Sequence, residues 1–329
     1  MKEKLFKECV IESPCKINLH LKIGETRPDG FHDLESLFMS LAFGDTLQFE
    51  CTGEKGDFRL FMNWEVPGEE IPPERNLVSK AVSLYREQTG FDSGLIIRLD
   101  KRIPPGAGLG GGSSNAASSL LALNCLSGLD LPMEKLVEMA SSLGSDVPFF
   151  LFGGAAFVCG CGESVEHVDF SRKLPVILMK PSFSCDTSHA YRLLDQAREG
   201  KTIEKIGKAE SKEVILRALK EDPGSWPFQN DFLPVFLDSV STEAGNTYVA
   251  IIDMLRKAGA SFAGLTGSGA ACFGIFKTIS AARRAERELS QKFRDFSLFN
   301  NQERPLLNPV NFVKMTFFLA HRADPVLKY

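Results

Sequence analysis

The stretch KRIPPGAGLGGGSSNAASSLLALN (Lys101–Asn124) constrains this chain more than any other. Five of the seven residues from Gly106 to Gly112 are glycine, where 28 glycines in 329 residues would place fewer than one by chance. Glycine weakens regular structure and suits a backbone that must turn with positive φ or admit a close neighbour. The run leads straight into a helix pattern. Ala116, Leu120 and Leu123 share one face, Ala117 and Leu121 another, and Gly128 stands just past the end. Backbone N–H groups left free at a helix start, reinforced by the helix dipole, make an anion site. Ser113 and Ser114 follow as helix caps whose hydroxyls also suit a phosphate or a magnesium ion.

The familiar nucleotide motifs do not fit. Gly106, Gly108 and Gly111 match G-x-G-x-x-G, but Pro104 and Pro105 separate the loop from the preceding strand. Asp130 has the spacing of a ribose-binding acid, yet only CLSGL lies between it and the helix, with no room for a strand. A dinucleotide-binding oxidoreductase is therefore the weaker alternative. A Walker A loop would end in Lys-Ser/Thr, and Ser113 follows three glycines instead. The HRAD near the end is not a protein-kinase catalytic loop.

A length of 329 residues fits two domains. The net charge of -4 argues against a nucleic-acid surface. The longest charge-free apolar stretch, Val147–Cys161, is broken by Pro148, Gly153 and Gly154 and is too short for a membrane span. Charge runs through MKEKLFKECVIE, unlike a signal peptide, and eight scattered cysteines form no CxxC pair. Cys159, Cys161 and His167 read better as reduced thiols and a lone histidine than as a metal site, so no metal ligand is assigned. The expected setting is the cytoplasm, with no membrane, no nucleic acid and no obligate protein partner.

Along the chain, CKINLHLKIG alternates Ile17, Leu19, Leu21 and Ile23 as a strand does. DTLQFECTG, DFRLFMN and GLIIRLD read as further strands, ERNLVSKAVSLYREQTG and MEKLVEMASSLG as helices. Glycine, cysteine and charge break the pattern at Val158–His167, which sets the expected domains at 1–165 and 166–329. The second half reads as strand LPVILMK, helices HAYRLLDQARE, SKEVILRALK and NTYVAIIDMLRKAG, two strands around the Gly-Ser-Gly of SFAGLTGSGAACFGIF, helix AARRAERELSQKF and final strand VNFVKMTFFLA. The fold class is α+β. Lys16 precedes Ile17 and should point to the polar side of its strand. Asp146 precedes Val147-Pro148 at a helix start, where the dipole favours its charge.

PPGAGLGGGSSNAA resembles the phosphate loop of the GHMP kinases (galacto-, homoserine, mevalonate and phosphomevalonate kinases). Ser13–Phe38, Leu143–Phe157 and Gly264–Phe276 resemble further motifs of that family in the same order, and the likeness is weakest over Ser171–Glu243. The resemblance implies a two-domain fold with the active site in the interdomain cleft. It implies ATP with Mg2+ as cofactors and an alcohol as phosphoryl acceptor. Lys16 and Asp146 would be the catalytic pair. Pro104, Pro105, Gly106, Ala107, Gly108, Leu109, Gly110, Gly111, Gly112, Ser113 and Ser114 would hold the nucleotide, with Asn76 and Lys101 toward adenine. The first motif resembles that of a member whose substrate carries a cytidine diphosphate group. Phe31 and Tyr191 would then face the two sides of the base, His32 would bond its edge, Asn18 would lie by the reacting end and Thr187 nearby. The family often has tyrosine at the first aromatic position and phenylalanine at the second, the reverse of this chain. Another small alcohol, such as homoserine or mevalonate, is the alternative acceptor.

Overall fold

The computed structural model describes residues 7–66, 72–200, 210–238, 242–298, 310–322 and 324–328. The chain opens with two long strands, β1 (Glu8–Thr26) and β2 (His32–Thr52), paired antiparallel through a tight turn at Gly30. Then come β3 (Phe58–Trp64), α1 (Leu77–Thr89), β4 (Gly94–Lys101), α2 (Gly111–Ser127), α3 (Met133–Leu143), α4 (Val147–Phe152), β5 (Ala155–Gly160) and β6 (Ser164–Val168). The second half holds β7 (Pro175–Pro181), α5 (Thr187–Glu199), α6 (Lys212–Ala218), α7 (Phe232–Asp238), α8 (Thr242–Lys257), β8 (Phe262–Leu265), β9 (Cys272–Ile275), α9 (Ile279–Leu298), β10 (Val310–Phe317) and β11 (Val326–Lys328). The α+β class expected from the sequence is what forms.

Two sheets result. The first runs β11-β1-β2-β4-β3, with β5 and β6 added on the other half of β2; the β3–β4 pairing is parallel, the other strand pairings among the described residues antiparallel. The second runs β10-β7-β9-β8. The strand expected to be last, β10, is not: the chain then returns to the first sheet, where β11 pairs with the start of β1. Likewise β6 carries the first sheet on to Val168.

β1 is buried on both faces through its middle: Ile17, Leu19, Leu21 and Ile23 alternate with the polar Lys16, Asn18 and His20, which are buried too. Its Cys9 and Ile11 face a core roofed by α1, α2, α3 and α4. Cys15, Ile17 and Leu19 join a second core with β5, β7 and α6, and Leu21 and Ile23 a third under α5, α7, α8 and α9. Helix α2 is buried nearly all round, which its small residues allow. The Ser118 and Ser119 hydroxyls donate to the carbonyls of Ser114 (2.7 Å) and Asn115 (2.8 Å), so no polar group is stranded there.

Candidate active site

Lys16 lies in β1 between register shifts at Pro14/Cys15 and Asn18/His20. Such bulges re-aim side chains. Gly44 permits the first, since a Cβ there would stand 2.2 Å from the Ser13 carbonyl oxygen. Lys16 is only 4% exposed, and its stem packs beside the Gly110 turn. Its Nζ donates to Asn18 Oδ1 at 2.6 Å, stands 3.5 Å from Asp146 Oδ2 and lies 4.5 Å from the Phe38 ring centre. Asn18 is fixed in turn: its Nδ2 donates to Ser36 Oγ (2.9 Å), which donates to the His20 carbonyl (2.6 Å), and its backbone N–H donates to Thr266 Oγ1 (2.9 Å). The polar face expected for Lys16 is thus an internal one, with donors aimed at named acceptors.

Asp146 stands at the N-cap of α4 as its sequence predicts, yet its side chain makes no cap hydrogen bond. The carboxylate turns to Lys16 and stays partly open. The dipole of so short a helix favours the anion without capturing it.

The glycine loop shows why its residues lack side chains. Gly106, Gly108 and Gly110 have φ of +60°, +72° and +71°. A Cβ at Gly106 would stand 2.7 Å from Ser184 Cβ, at Gly108 2.5 Å from the Thr266 carbonyl oxygen, and at Gly110 2.7 Å from the Phe150 ring. At these three, other parts of the chain fill the room a side chain would take. The neighbour is the second glycine turn, Thr266–Ala271. Ala271 N–H donates to the Ala107 carbonyl (3.1 Å) and Thr266 Oγ1 to the Gly108 carbonyl (3.3 Å). Lys16 N–H closes on the Leu109 carbonyl at 3.0 Å. Gly112 is the open one, with only Leu77 Cδ1 at an ordinary 3.6 Å.

One cavity of about 870 Å³ joins these parts. Lys16, Asn18, Gly108, Gly110, Ser113 and Asp146 border it on one side; Phe31, His32, Thr187 and Tyr191 border it on the other. The His32 ring stacks on Tyr191 (centroids 4.9 Å apart, 27° between planes), and Phe31 stands 64% exposed at the rim. His32 Nε2 donates to Asp195 Oδ1 at 2.7 Å. A carboxylate can only accept, so the neutral ring keeps Nδ1 as an acceptor. Burial pushes the Tyr191 phenol pKa up, and the Asp146 charge adds to the effect.

Known proteins match this arrangement. The profile described as GHMP kinases N terminal domain matches residues 76–154, and that of GHMP kinases C terminal matches 240–295. The 4-diphosphocytidyl-2-C-methyl-D-erythritol kinase of Burkholderia thailandensis is 36% identical over 280 residues, 84% of this chain and 88% of its own length. The chain belongs to the GHMP kinases. The chloroplastic enzyme of that same name from Oryza sativa subsp. japonica is 47% identical over 184 residues, 55% of this chain and 45% of its own, so the chain spans about half the length of such plant relatives. A solved 4-(cytidine 5'-diphospho)-2C-methyl-D-erythritol kinase superposes with a TM-score of 0.72 at 28% identity, covering 94% of this chain and 98% of that one. A homoserine kinase from Cytophaga hutchinsonii shares the GHMP kinase fold alone, at TM-score 0.65 and 16% identity, covering 100% and 99%.

The N-terminal GHMP kinase match holds the loop and Asp146 but begins after Lys16, which β1 supplies from outside it. The other sequence-predicted positions divide. Ala107, Leu109 and Ser114 are buried behind the loop, where Ser13 Oγ donates to Ser114 Oγ at 2.8 Å. Asn76 caps α1 through Val78 N–H (2.9 Å) and its Nδ2 meets Met62 Sδ at 3.2 Å. Lys101 pairs with buried Asp45, whose other oxygen takes the N–H groups of Arg102 and Ile103. Neither Asn76 nor Lys101 borders the large cavity. Pro104, Pro105, Gly106, Gly111 and Gly112 also stand off it, shaping the turn instead. Sequence reading missed Asp195, Arg192, Ser36 and Ser268, all but Ser36 lining the cavity. Asp195 sits one helical turn beyond Tyr191, a spacing that puts both on one face of α5. That signal was available for it; Ser36 and Ser268 arrive only through the fold.

Proposed function

We propose that this chain transfers the γ-phosphate of ATP to the 2-hydroxyl of 4-diphosphocytidyl-2-C-methyl-D-erythritol, releasing ADP, in the non-mevalonate isoprenoid route. One observation carries the reading: the Lys16–Asp146 pair stands in a single cavity between the glycine loop and the His32–Tyr191 stack. Phosphoryl transfer needs a positioned hydroxyl, a nucleotide held in line and positive charge around the group in transit. Asp146 orients the acceptor hydroxyl and takes its proton. Lys16, held by Asn18, fixes that carboxylate and faces the developing charge. The transition state is loose, so orientation outweighs proton abstraction.

The nucleotide phosphates sit against Gly108, Gly110 and Ser113 at the start of α2. Mg2+ keeps several waters and takes few protein ligands. No group of three or more His, Cys, Asp or Glu suits a metal among the described residues, while Asp146 and Ser113 both border the cavity. That donor set fits an ion held mainly by phosphates, which would neutralise their charge. At the other end, His32 offers Nδ1 to the exocyclic amine of cytosine, its ring held for this by the Tyr191 stack and the bond to Asp195. Phe31 closes from the rim. Asn76 and Lys101 act by holding α1 and the loop rather than by touching adenine.

The two units expected at 1–165 and 166–329 form the walls of the cleft, the first extended to Val168 and completed by β11. Among the described residues no helix is long and apolar enough to cross a membrane. Buried free thiols at Cys9, Cys15 and Cys272 support a cytoplasmic setting. The test is ADP release with the cytidylated alcohol beside methylerythritol 4-phosphate, homoserine and mevalonate. Turnover with the first alone is expected; equal or better turnover with another alcohol would overturn the substrate.

A further inference from the structure

Three elements carry the groups that the proposed transfer uses: β1 holds Lys16, α2 opens from the glycine loop and α4 is capped by Asp146. One side chain from outside all three bonds to each. Arg322 lies between β10 and β11. Its Nη1 donates to the Phe150 carbonyl of α4 at 2.5 Å. Its Nη2 donates to Ser118 Oγ of α2 at 2.5 Å and to the Glu12 carbonyl of β1 at 3.0 Å. Its backbone N–H adds a bond to the Phe152 carbonyl at 3.3 Å. Every acceptor is an uncharged oxygen, so Arg322 works as a planar fork across three elements, which no other side chain offers.

The surroundings are shaped to it. Gly153 and Gly154 end α4 with φ of +68° and +73°. A Cβ at Gly153 would stand 3.2 Å from Arg322 Cβ, and one at Gly154 2.5 Å from the Ala320 carbonyl oxygen. Ser40 N–H donates to the Gly154 carbonyl (2.8 Å) and Leu319 N–H to the Ser40 carbonyl (2.9 Å), which stitches this strap beneath β2. The levers are short. Phe150 lies one turn from Asp146, Glu12 lies four residues before Lys16, and the Phe150 ring abuts Gly110.

We infer that Arg322 is a positioning residue for phosphoryl transfer, holding the Lys16–Asp146 pair and the Gly110 turn in register from the side away from the cavity. The inference rests on the kinase reading above. It is tested with Arg322→Lys and Arg322→Met. Lysine keeps the charge and the stem but cannot span three oxygens. In Arg322→Lys, kcat per folded enzyme should fall roughly 10–10²-fold, the usual cost of a misplacement near 1 Å, while KM for ATP and for the cytidylated alcohol changes little. Hydrogen exchange of the 146–154 amides should accelerate, with 262–275 unchanged. Arg322→Met should do the same more strongly; if it does not fold, Arg322→Lys decides. Unchanged exchange at 146–154 overturns the proposal whatever kcat does, and so does wild-type kcat in a variant whose exchange has accelerated. A wild-type enzyme that does not turn over the cytidylated alcohol sinks the kinase reading alone; the exchange measurement still decides whether Arg322 holds α4.

Discussion

At Asp146, Asn is nearly isosteric with the carboxylate and lacks its charge and its basicity. Asp146→Asn should lower kcat by about 10²–10⁴, the range for a positioned base, and leave ATP affinity near wild type in calorimetry. Lys16→Met should lower kcat by about 10²–10³ through lost charge stabilisation. A folded Asp146→Asn enzyme with near-normal turnover would remove that residue from the chemistry. A different single residue contributes to acid behaviour. His20 is buried, its Nδ1 accepts from Gln229 N–H at 3.2 Å, and burial, helped by Lys22, pulls its pKa from 6.5 down to about 4. The folded state therefore prefers neutral His20, and the unfolded chain binds the extra proton first. That contribution is intact above pH 6.5 and is lost as pH falls from 6.5 to about 4, worth at most about 3 kcal/mol. Urea unfolding at pH 7 and pH 4.5 should find a smaller acid loss in His20→Asn than in wild type; equal losses would contradict this.

At the scale of elements, the glycine loop separates folding from binding. Gly108→Ala forces an alanine into left-handed backbone, about 1–2 kcal/mol, and drives its Cβ onto the Thr266 carbonyl. Its melting temperature should drop by several degrees. Gly112→Ala meets only ordinary contact and should melt like wild type, any weakening appearing in ATP binding. If both variants melted alike, the packing account of the loop would be wrong. Much of this layer was legible in the sequence. The strand alternation at Ile17–Ile23, the helix after the glycines and the hairpin around Gly267–Gly269 all rest on local periodicity or turn chemistry, which a single chain displays. What was not legible depends on distant partners. The run FGGAAF reads as a break, yet Gly153 and Gly154 are glycines because residues 320–322 press on them. Phe31 and Tyr191 read as two walls of a sandwich, whereas His32 takes the Tyr191 face, because Asp195 holds the imidazole there. Lys101 reads as a nucleotide contact, but Asp45, 56 residues earlier in the chain, claims it.

At the scale of the whole molecule, the β1–β2 hairpin threads all three cores, and the second sheet sends β11 back to the first. Neither unit can lose its structure without stripping the other. Calorimetry should therefore record one cooperative transition for the full chain, and a fragment ending at Val168 should lack a sharp one. Two well-separated transitions would mean the units are independent after all. The β11–β1 pairing also sets an order of events during synthesis. Residues 8–10 leave the ribosome more than three hundred residues ahead of their partners at 326–328. Until then β1 is an open edge, and closing it requires a contact of very long sequence separation. The β1 edge is thus completed long after it is made, so a nascent chain stalled before residue 322 would carry Lys16 and Asp146 without the strap that holds them.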